Sequence, residues 1–180
     1  ETINALNEWG NCTGIEFISV DSIEDSDIRI SFVRNDGHWS YIGREAENAS
    51  LIGKATINFD PQNLENSDPK TIEGIMLHEI GHSLGLIHEH QTEISPIKWN
   101  KQKVYSDCQS WYGWDTNKVD HNIFNTFNSN DLFYSKKFDP NSIMIYAIPN
   151  GWSSNYQINE MNKKLSPLDK AFAKAFYANI

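Results

Sequence analysis

Apolar positions along the first half of the chain follow two different periods. Residues 1–9 carry Ile3, Leu6 and Trp9 at helical spacing with Gly10-Asn11 as a stop, and read as the tail of an amphipathic helix. Residues 15–20 and 27–32 are rich in β-branched and aromatic side chains and are separated by acidic turn residues, so each predicts a strand. Residues 37–43, bounded by glycines, are a third candidate strand, and residues 55–59, closed by Asp60-Pro61, a fourth. Asp68 then offers an N-cap and Pro69 a first helical position for a helix over residues 71–84. At about 100° per residue its Ile72, Ile75, Met76, Leu77, Ile80 and Leu84 cover one broad arc, which predicts burial along one side. Helix, strands and helix make this half an α/β or α+β layer with an ordinary core.

Beyond His90 the periods fade. Residues 91–141 are rich in Asn, Ser, Asp and Lys with isolated aromatics (Trp111, Tyr112, Trp114, Phe124, Phe127, Phe133, Tyr134, Phe138), and read as a loop-rich lobe with short helices held by aromatic plugs. Ser166-Pro167-Leu168-Asp169 looks like a cap, followed by a helix with Leu168, Phe172, Ala175 and Phe176 on one face.

Composition narrows the function. The 180 residues suit one domain or two lobes sharing a boundary, and no apolar run approaches the roughly 18 residues of a membrane span. With 24 Asp and Glu against 15 Lys and Arg, the chain is a poor partner for a phosphate backbone, so nucleic acid is not expected. Residues 1–9 do not read as a signal peptide, and a chain that opens mid-helix predicts a trimmed or missing upstream segment. Two cysteines, Cys12 and Cys108, are too few for a disulfide framework or an all-thiolate metal site; they form either one disulfide or two free thiols. Asn11-Cys12-Thr13 and Asn48-Ala49-Ser50 match glycosylation acceptors, a weak pattern.

Four of the six histidines lie within residues 78–90, and three fit a single cation. On a helix, His78 and His82 stand about 40° apart and one turn apart, so both imidazoles reach one metal. Glu79 lies about 60° from His82, close enough to address a water on that metal without being a ligand. This is the H-E-x-x-H pattern of two zinc ligands and a general base. On a continuous helix His88 would point about 120° away from His82, so the chain must turn, and Gly85 is placed to turn it through the left-handed region. Three neutral imidazoles leave a fourth position open, the catalytic rather than the closed arrangement of one Zn²⁺. His38 and His121 carry no assignment, and His90 is expected to point away from the metal.

Residues 78–88 resemble the extended zinc motif of the metzincin metalloendopeptidases, H-E-x-x-H-x-x-G-x-x-H, and Glu89 after the third histidine resembles the astacins. Ser142-Ile143-Met144-Ile145-Tyr146 is similar to the astacin Met-turn. The resemblance implies an α+β, two-lobed catalytic domain over residues 1–180. An N-terminal subdomain (1–88) would hold a twisted mixed sheet and two helices, a loop-rich C-terminal subdomain (89–180) would hold the Met-turn and end in a helix, and the zinc cleft would lie between them. It further implies a secreted endopeptidase of protein or peptide substrates, a monomer kept silent by an inhibitory propeptide. Glu79 would be general base and then proton donor. Tyr146 would be an additional zinc ligand that swings to stabilise the oxyanion, Met144 a floor beneath the metal, and Trp39, Ser40 and Tyr41 an edge strand pairing with extended substrate. A bacterial origin is expected from the Asn- and Ile-rich text.

Several residues depart from the family pattern: His90-Gln91-Thr92-Glu93-Ile94 lacks the usual charged residues, Ile145 replaces the commoner histidine, and the usual four cysteines are two. The family also buries its N-terminus against the glutamate matching Glu89, whose partner here is therefore open. For Glu79 the alternative is a solvated helix carboxylate, for Tyr146 a core tyrosine, and for residues 37–43 an interior strand. For the whole chain the alternatives are a zinc-stabilised binding or adhesion module without turnover, or a matrixin-like metzincin.

Overall fold

The structure is a computed structural model and describes residues 1–48, 52–127 and 137–178. Phe133 and Tyr134 and the Ala49-Ser50 part of one glycosylation pattern lie outside the described residues. Helix α1 (Thr2–Thr13) comes first, then strands β1 (Ile30–Ser31), β2 (Trp39–Ser40) and β3 (Ile57–Asn58), the short α2 (Pro61–Leu64) and the long α3 (Pro69–Ser83). Helices α4 (Lys101–Tyr112) and α5 (Thr116–Val119) follow; α5 continues into a wider π turn over Asp120–Phe124, and α6 (Pro167–Tyr177) is last.

Helix α1 does not stop at Gly10-Asn11 as expected. Gly10 stays helical, and a Cβ there would sit 2.8 Å from the Ile15 carbonyl, so glycine serves a close approach rather than a stop. The stop is Gly14 at φ 80, with its N–H on the Gly10 carbonyl. Its buried face is Ala5, Trp9 and Thr13, spaced by one turn, whereas Ile3 is 72% exposed.

The strand expected over residues 15–20 does not form. Ile15 and Phe17 lean on the core while Ile18 and Val20 face solvent, and the segment pairs with no strand among the described residues. The other three expected strands contribute two-residue ladders to a mixed sheet of order β1-β3-β2. β1 runs parallel to β3 (Ile30 opposite Ile57) and β2 antiparallel to it (Trp39 opposite Asn58). Asn58, fully buried in the central strand, accepts from Ser31 Oγ and the Val33 N–H, both at 2.8 Å. Its amide donates to the carbonyls of Val33 at 3.2 Å and Gly37 at 2.7 Å, so one satisfied side chain fastens the β1–β2 connection. His38 is structural here, its Nδ1 accepting the Asp60 N–H at 3.1 Å.

Asp68 caps α3 through the N–H groups of Lys70 and Thr71, with Pro69 at the first position. The helix is the spine of the first core, which gathers Ala5, Trp9, Ile57, Phe59, Leu77 and Ile80 with Ile143, Met144, Leu165 and Ala173 from the far end of the chain. Trp9 Nε1 donates to the Leu77 carbonyl at 2.9 Å, and Tyr177 Oη to that of Leu84 at 2.8 Å, so α1 and α6 are both tied to α3.

A second core gathers Val104, Cys108, Val119, Ile123, Ile148 and Trp152. Helix α4, not individually anticipated, is capped by Asn100 and closed by Gly113 at φ 67. Trp152 plugs this core and donates to Asp107 at 2.8 Å, but Trp111 and Tyr112, expected as plugs, are more than half exposed.

The inward face of α6 is Asp169, Phe172, Ala173 and Tyr177; of the expected face of Leu168, Phe172, Ala175 and Phe176, Phe172 packs on the first core whereas Leu168 and Ala175 are exposed. Asp169 completes the capping box with Ser166 and also accepts from Ser142 Oγ at 2.7 Å and the Ile143 N–H at 2.8 Å, which turns the helix about its axis. Cys12 packs on the first core and Cys108 lies in the second; both are free thiols, the second of the two alternatives for this pair. Among the described residues no helix is long and apolar enough to cross a membrane.

Gly81 sits between the first two histidines of the motif, and a Cβ there would meet Met144 Sδ at 2.6 Å and Trp9 Cζ2 at 3.2 Å. Both neighbours are fully packed, so Gly81→Ala overfills the core and is expected to cost roughly 1–3 kcal/mol. Urea unfolding monitored by tryptophan fluorescence measures it; an unchanged midpoint contradicts this packing.

Candidate metal centre

The centre is assembled where α3 ends. Leu84 caps the helix and Gly85 follows at φ 90. The Leu86 N–H bonds the Gly81 carbonyl at 3.0 Å and the Gly85 N–H that of His82 at 2.8 Å, the paired bonds of a Schellman turn. The chain is thereby reversed within three residues of His82, and a one-turn 3₁₀ segment (Glu89–Gln91) receives His88 as its cap. The glycine expected to make the turn makes it, for the backbone reason anticipated.

His78, His82 and His88 are buried, and their candidate ligand atoms lie within 4.8 Å of one another. Each Nδ1 faces an oxygen that only accepts: the Ile143 carbonyl at 2.7 Å for His78, the Leu86 carbonyl at 2.8 Å for His82, and Gln91 Oε1 at 2.7 Å for His88. All three protons therefore sit on Nδ1, and all three Nε2 atoms present lone pairs. The Nε2 atoms of His82 and His88 stand 3.1 Å apart with no proton to share between them. Two tetrahedral imidazole ligands on zinc, at about 2.0–2.1 Å each, would be roughly 3.3 Å apart, so the donor set fits the cation. Burial first, then mutual repulsion, depresses the imidazoles: His78 to about 3, His82 to about 4 by burial, and His88 well below its usual value. They remain neutral, the form in which imidazole binds metal.

Glu79 lies on the same helix, 7% exposed, and its carboxyl makes no hydrogen bond among the described residues; burial raises it to about 8. The Tyr146 ring stands 4.2 Å from His88 and 5.8 Å from His78 by centroids, and burial, then the Glu79 charge, pushes its phenol above the ordinary tyrosine range. A matrixin-like site would place this tyrosine away from the histidines. Met144, 1% exposed, packs against Gly81, which stands between His78 and His82 on α3. Trp39 and Ser40 form β2, which is an edge of the sheet, and Tyr41 meets Trp39 edge-on at 5.9 Å.

His90 is not part of the ligand set. Its ring stacks on His88 at 5.1 Å, and its Nε2 bonds the Asn122 carbonyl at 3.1 Å. Glu89, whose partner the sequence left open, accepts the Asp139 N–H at 2.7 Å while its own N–H bonds the Met144 carbonyl at 3.1 Å. Burial and the neighbouring Asp139 and Asp169 raise its carboxyl to about 7, against the Asp139 N–H, which lowers it. The residue that sequence reasoning missed is Gln91, the acceptor for His88; only its nearness to the motif hinted at it.

Comparison with known proteins agrees with this geometry. The family model described as Astacin, a peptidase family, matches residues 1–175. A solved structure of myroilysin is similar over 98% of this chain and 84% of its own, at 32% identity and a TM-score of 0.87. The hatching-enzyme zinc-protease High choriolytic enzyme 1 of Oryzias latipes shares the fold over 98% of this chain and 80% of its own, at 21% identity and a TM-score of 0.63. Zinc metalloproteinase nas-36 of Haemonchus contortus is 30% identical over 58% of this chain. A protein of Trichoplusia ni ascovirus 2c named for the matrix metalloproteinases is 27% identical over 81% of this chain. The chain spans only 30% of that viral protein and 14% of nas-36.

At Gly85 an added Cβ meets no atom within 4 Å, so the cost of Gly85→Ala is the left-handed backbone alone, about 1–2 kcal/mol. Because the same turn supplies the Leu86 carbonyl to His82 and returns His88, that strain is expected to weaken zinc binding by about tenfold. Competition with a chromophoric chelator measures this; unchanged affinity separates the turn from the metal centre.

Proposed function

This chain belongs to the astacin family of peptidases and is a zinc-dependent endopeptidase domain; on that premise we propose how its residues divide the work. The observation that carries the proposal is the convergence of three buried imidazoles, each held through Nδ1, at the end of a helix that also buries the Glu79 carboxyl. His78, His82 and His88 would hold one Zn²⁺, whose Lewis acidity polarises a carbonyl oxygen and lowers the pKa of a water to about 7. Burial alone favours the neutral acid, but a cation held by the neighbouring histidines would favour the carboxylate, and in that form Glu79 takes the proton of the attacking water and delivers it to the departing amine, its position one residue past His78 keeping it outside the ligand set. The Tyr146 phenol, held protonated against the His88 ring, is the hydrogen-bond donor to the developing oxyanion, and at rest it would be an additional residue holding the cation. Met144 is a packed floor that fixes the distance between α3 and the turn carrying Tyr146, through its contact with Gly81.

Extended substrate lies along Trp39, Ser40 and Tyr41; the Tyr41 N–H is turned inward to the Thr56 carbonyl at 3.0 Å, so by alternation it is Ser40 that offers its main-chain groups on the outer edge of β2. The support is the edge position and the known habit of edge strands to pair. Residues 1–180 act as one catalytic domain, since the first core draws on residues from Ala5 to Ala173. The whole protein is read as a secreted, monomeric protease of protein substrates, made with an inhibitory propeptide, because a peptidase must stay silent until exported. A binding module without turnover has no use for a buried carboxyl beside the ligand atoms, which favours the enzyme.

Glu79→Gln is expected to retain stoichiometric zinc and lose at least about 100-fold in kcat on a casein or quenched peptide substrate. Tyr146→Phe is expected to lower kcat by about 100-fold with KM little changed. Retained turnover in the Glu79 variant, or protein that carries no zinc, would falsify the assignment.

A further inference from the structure

Two of the three metal-site imidazoles are oriented by main-chain carbonyls, which substitution cannot remove; His88 alone leans on a side chain. Gln91, 3% exposed, uses its whole amide: Oε1 accepts from His88 Nδ1 at 2.7 Å, and Nε2 donates to the carbonyls of His121 at 2.7 Å and Asn125 at 3.1 Å. The amide orientation follows from its partners, since both carbonyls only accept and a metal-binding imidazole must donate from its other nitrogen.

The carbonyls come from one place. Helix α5 runs into the π turn Asp120–Phe124, closed by the Asn125 N–H on the Asp120 carbonyl at 2.7 Å. The last carbonyls of such a segment have no partner within it. Here His121 and Asn125 are taken by Gln91 and Asn122 by His90, while the Phe127 N–H returns to the Gln91 carbonyl at 3.0 Å. The negative end of a helical segment therefore polarises the Gln91 amide and enriches Oε1, and an electron-rich acceptor on Nδ1 makes Nε2 a better donor.

We propose that Gln91 is a positioning residue of the metal centre, relaying the C-terminal end of the 116–124 segment to His88 and setting how strongly that imidazole holds zinc. The inference rests on the reading of His78, His82 and His88 as zinc ligands. It also ties the loop-rich half of the chain to the third ligand, where Gln91 stands among the residues that depart from the family pattern.

The test uses the full chain, with zinc affinity read by chelator competition and ligand-field bands read on the Co²⁺-substituted protein. Gln91→Met keeps volume and loses every bond; zinc affinity is expected to fall by about 10–100-fold. Gln91→Glu keeps an acceptor for His88 but donates nothing to the turn; affinity is expected to stay within roughly threefold of the parent or to rise, with shifted cobalt bands. A residue that merely tethers the turn would weaken both variants alike. The proposal is overturned by unchanged affinity in Gln91→Met, or by an equal loss in both. Should Gln91→Met not fold, the cobalt spectrum of Gln91→Glu decides, shifted bands supporting the relay and unchanged bands overturning it. Absence of zinc from the parent protein would instead remove the metal-centre reading itself, a result distinct from either.

Discussion

Three buried imidazole lone pairs aimed at one point are the constraint around which the rest of this chain is arranged. Without a cation, two Nε2 atoms 3.1 Å apart repel, and burial has already made protonation unfavourable. The arrangement holds because each Nδ1 is anchored to a different part of the molecule: the segment before Met144, the turn that ends α3, and the 3₁₀ segment after it. A change in any of those three carriers would rotate an imidazole, so residues that never touch the cation help to orient its ligands.

Two features show how that precision is kept. Gly81 removes a side chain where Met144 and Trp9 press on α3, bringing Met144 and the first helix against the turn of α3 between His78 and His82. Below it, three carboxylates share a buried knot: Glu89 accepts the Asp139 N–H, Ser166 Oγ donates to Asp139 at 2.5 Å, and Asp169 accepts from Ser142 and Ile143. The Ile143 carbonyl that orients His78 belongs to the residue whose N–H is held by Asp169. The cap of the last helix and the first metal ligand are therefore consecutive links in one hydrogen-bonded chain, which explains why α6 presents Asp169 inward rather than the apolar stripe its periodicity suggested.

Local signals were readable where one residue's own chemistry decides its structure. Asp68-Pro69, Ser166-Pro167 and Gly85 act through their own φ angles or side-chain oxygens, and each starts or ends its helix as expected. Periodicity misled where a distant partner outweighed it. Residues 15–20 have strand composition but no strand beside them among the described residues, and Gly10 reads as a stop until the Ile15 carbonyl arrives next to it. The three strands that form pair over only two residues each, and from the central strand the Asn58 amide takes the Val33 and Gly37 carbonyls of the β1–β2 connection, a pairing no local pattern announces.

By itself the sequence determined the donor set: the helical four-residue spacing of His78 and His82, the carboxyl between them and the glycine before His88 follow from backbone geometry that any folded context preserves. Tertiary structure alone decided which oxygen holds each Nδ1, that Tyr146 stands against His88, that Glu89 answers Asp139, and that Gln91 connects the third ligand to a turn 30 residues away. Those pairings join residues far apart in the chain, and nothing in the local pattern of a sequence encodes which carbonyl a buried donor will meet once the cores have closed.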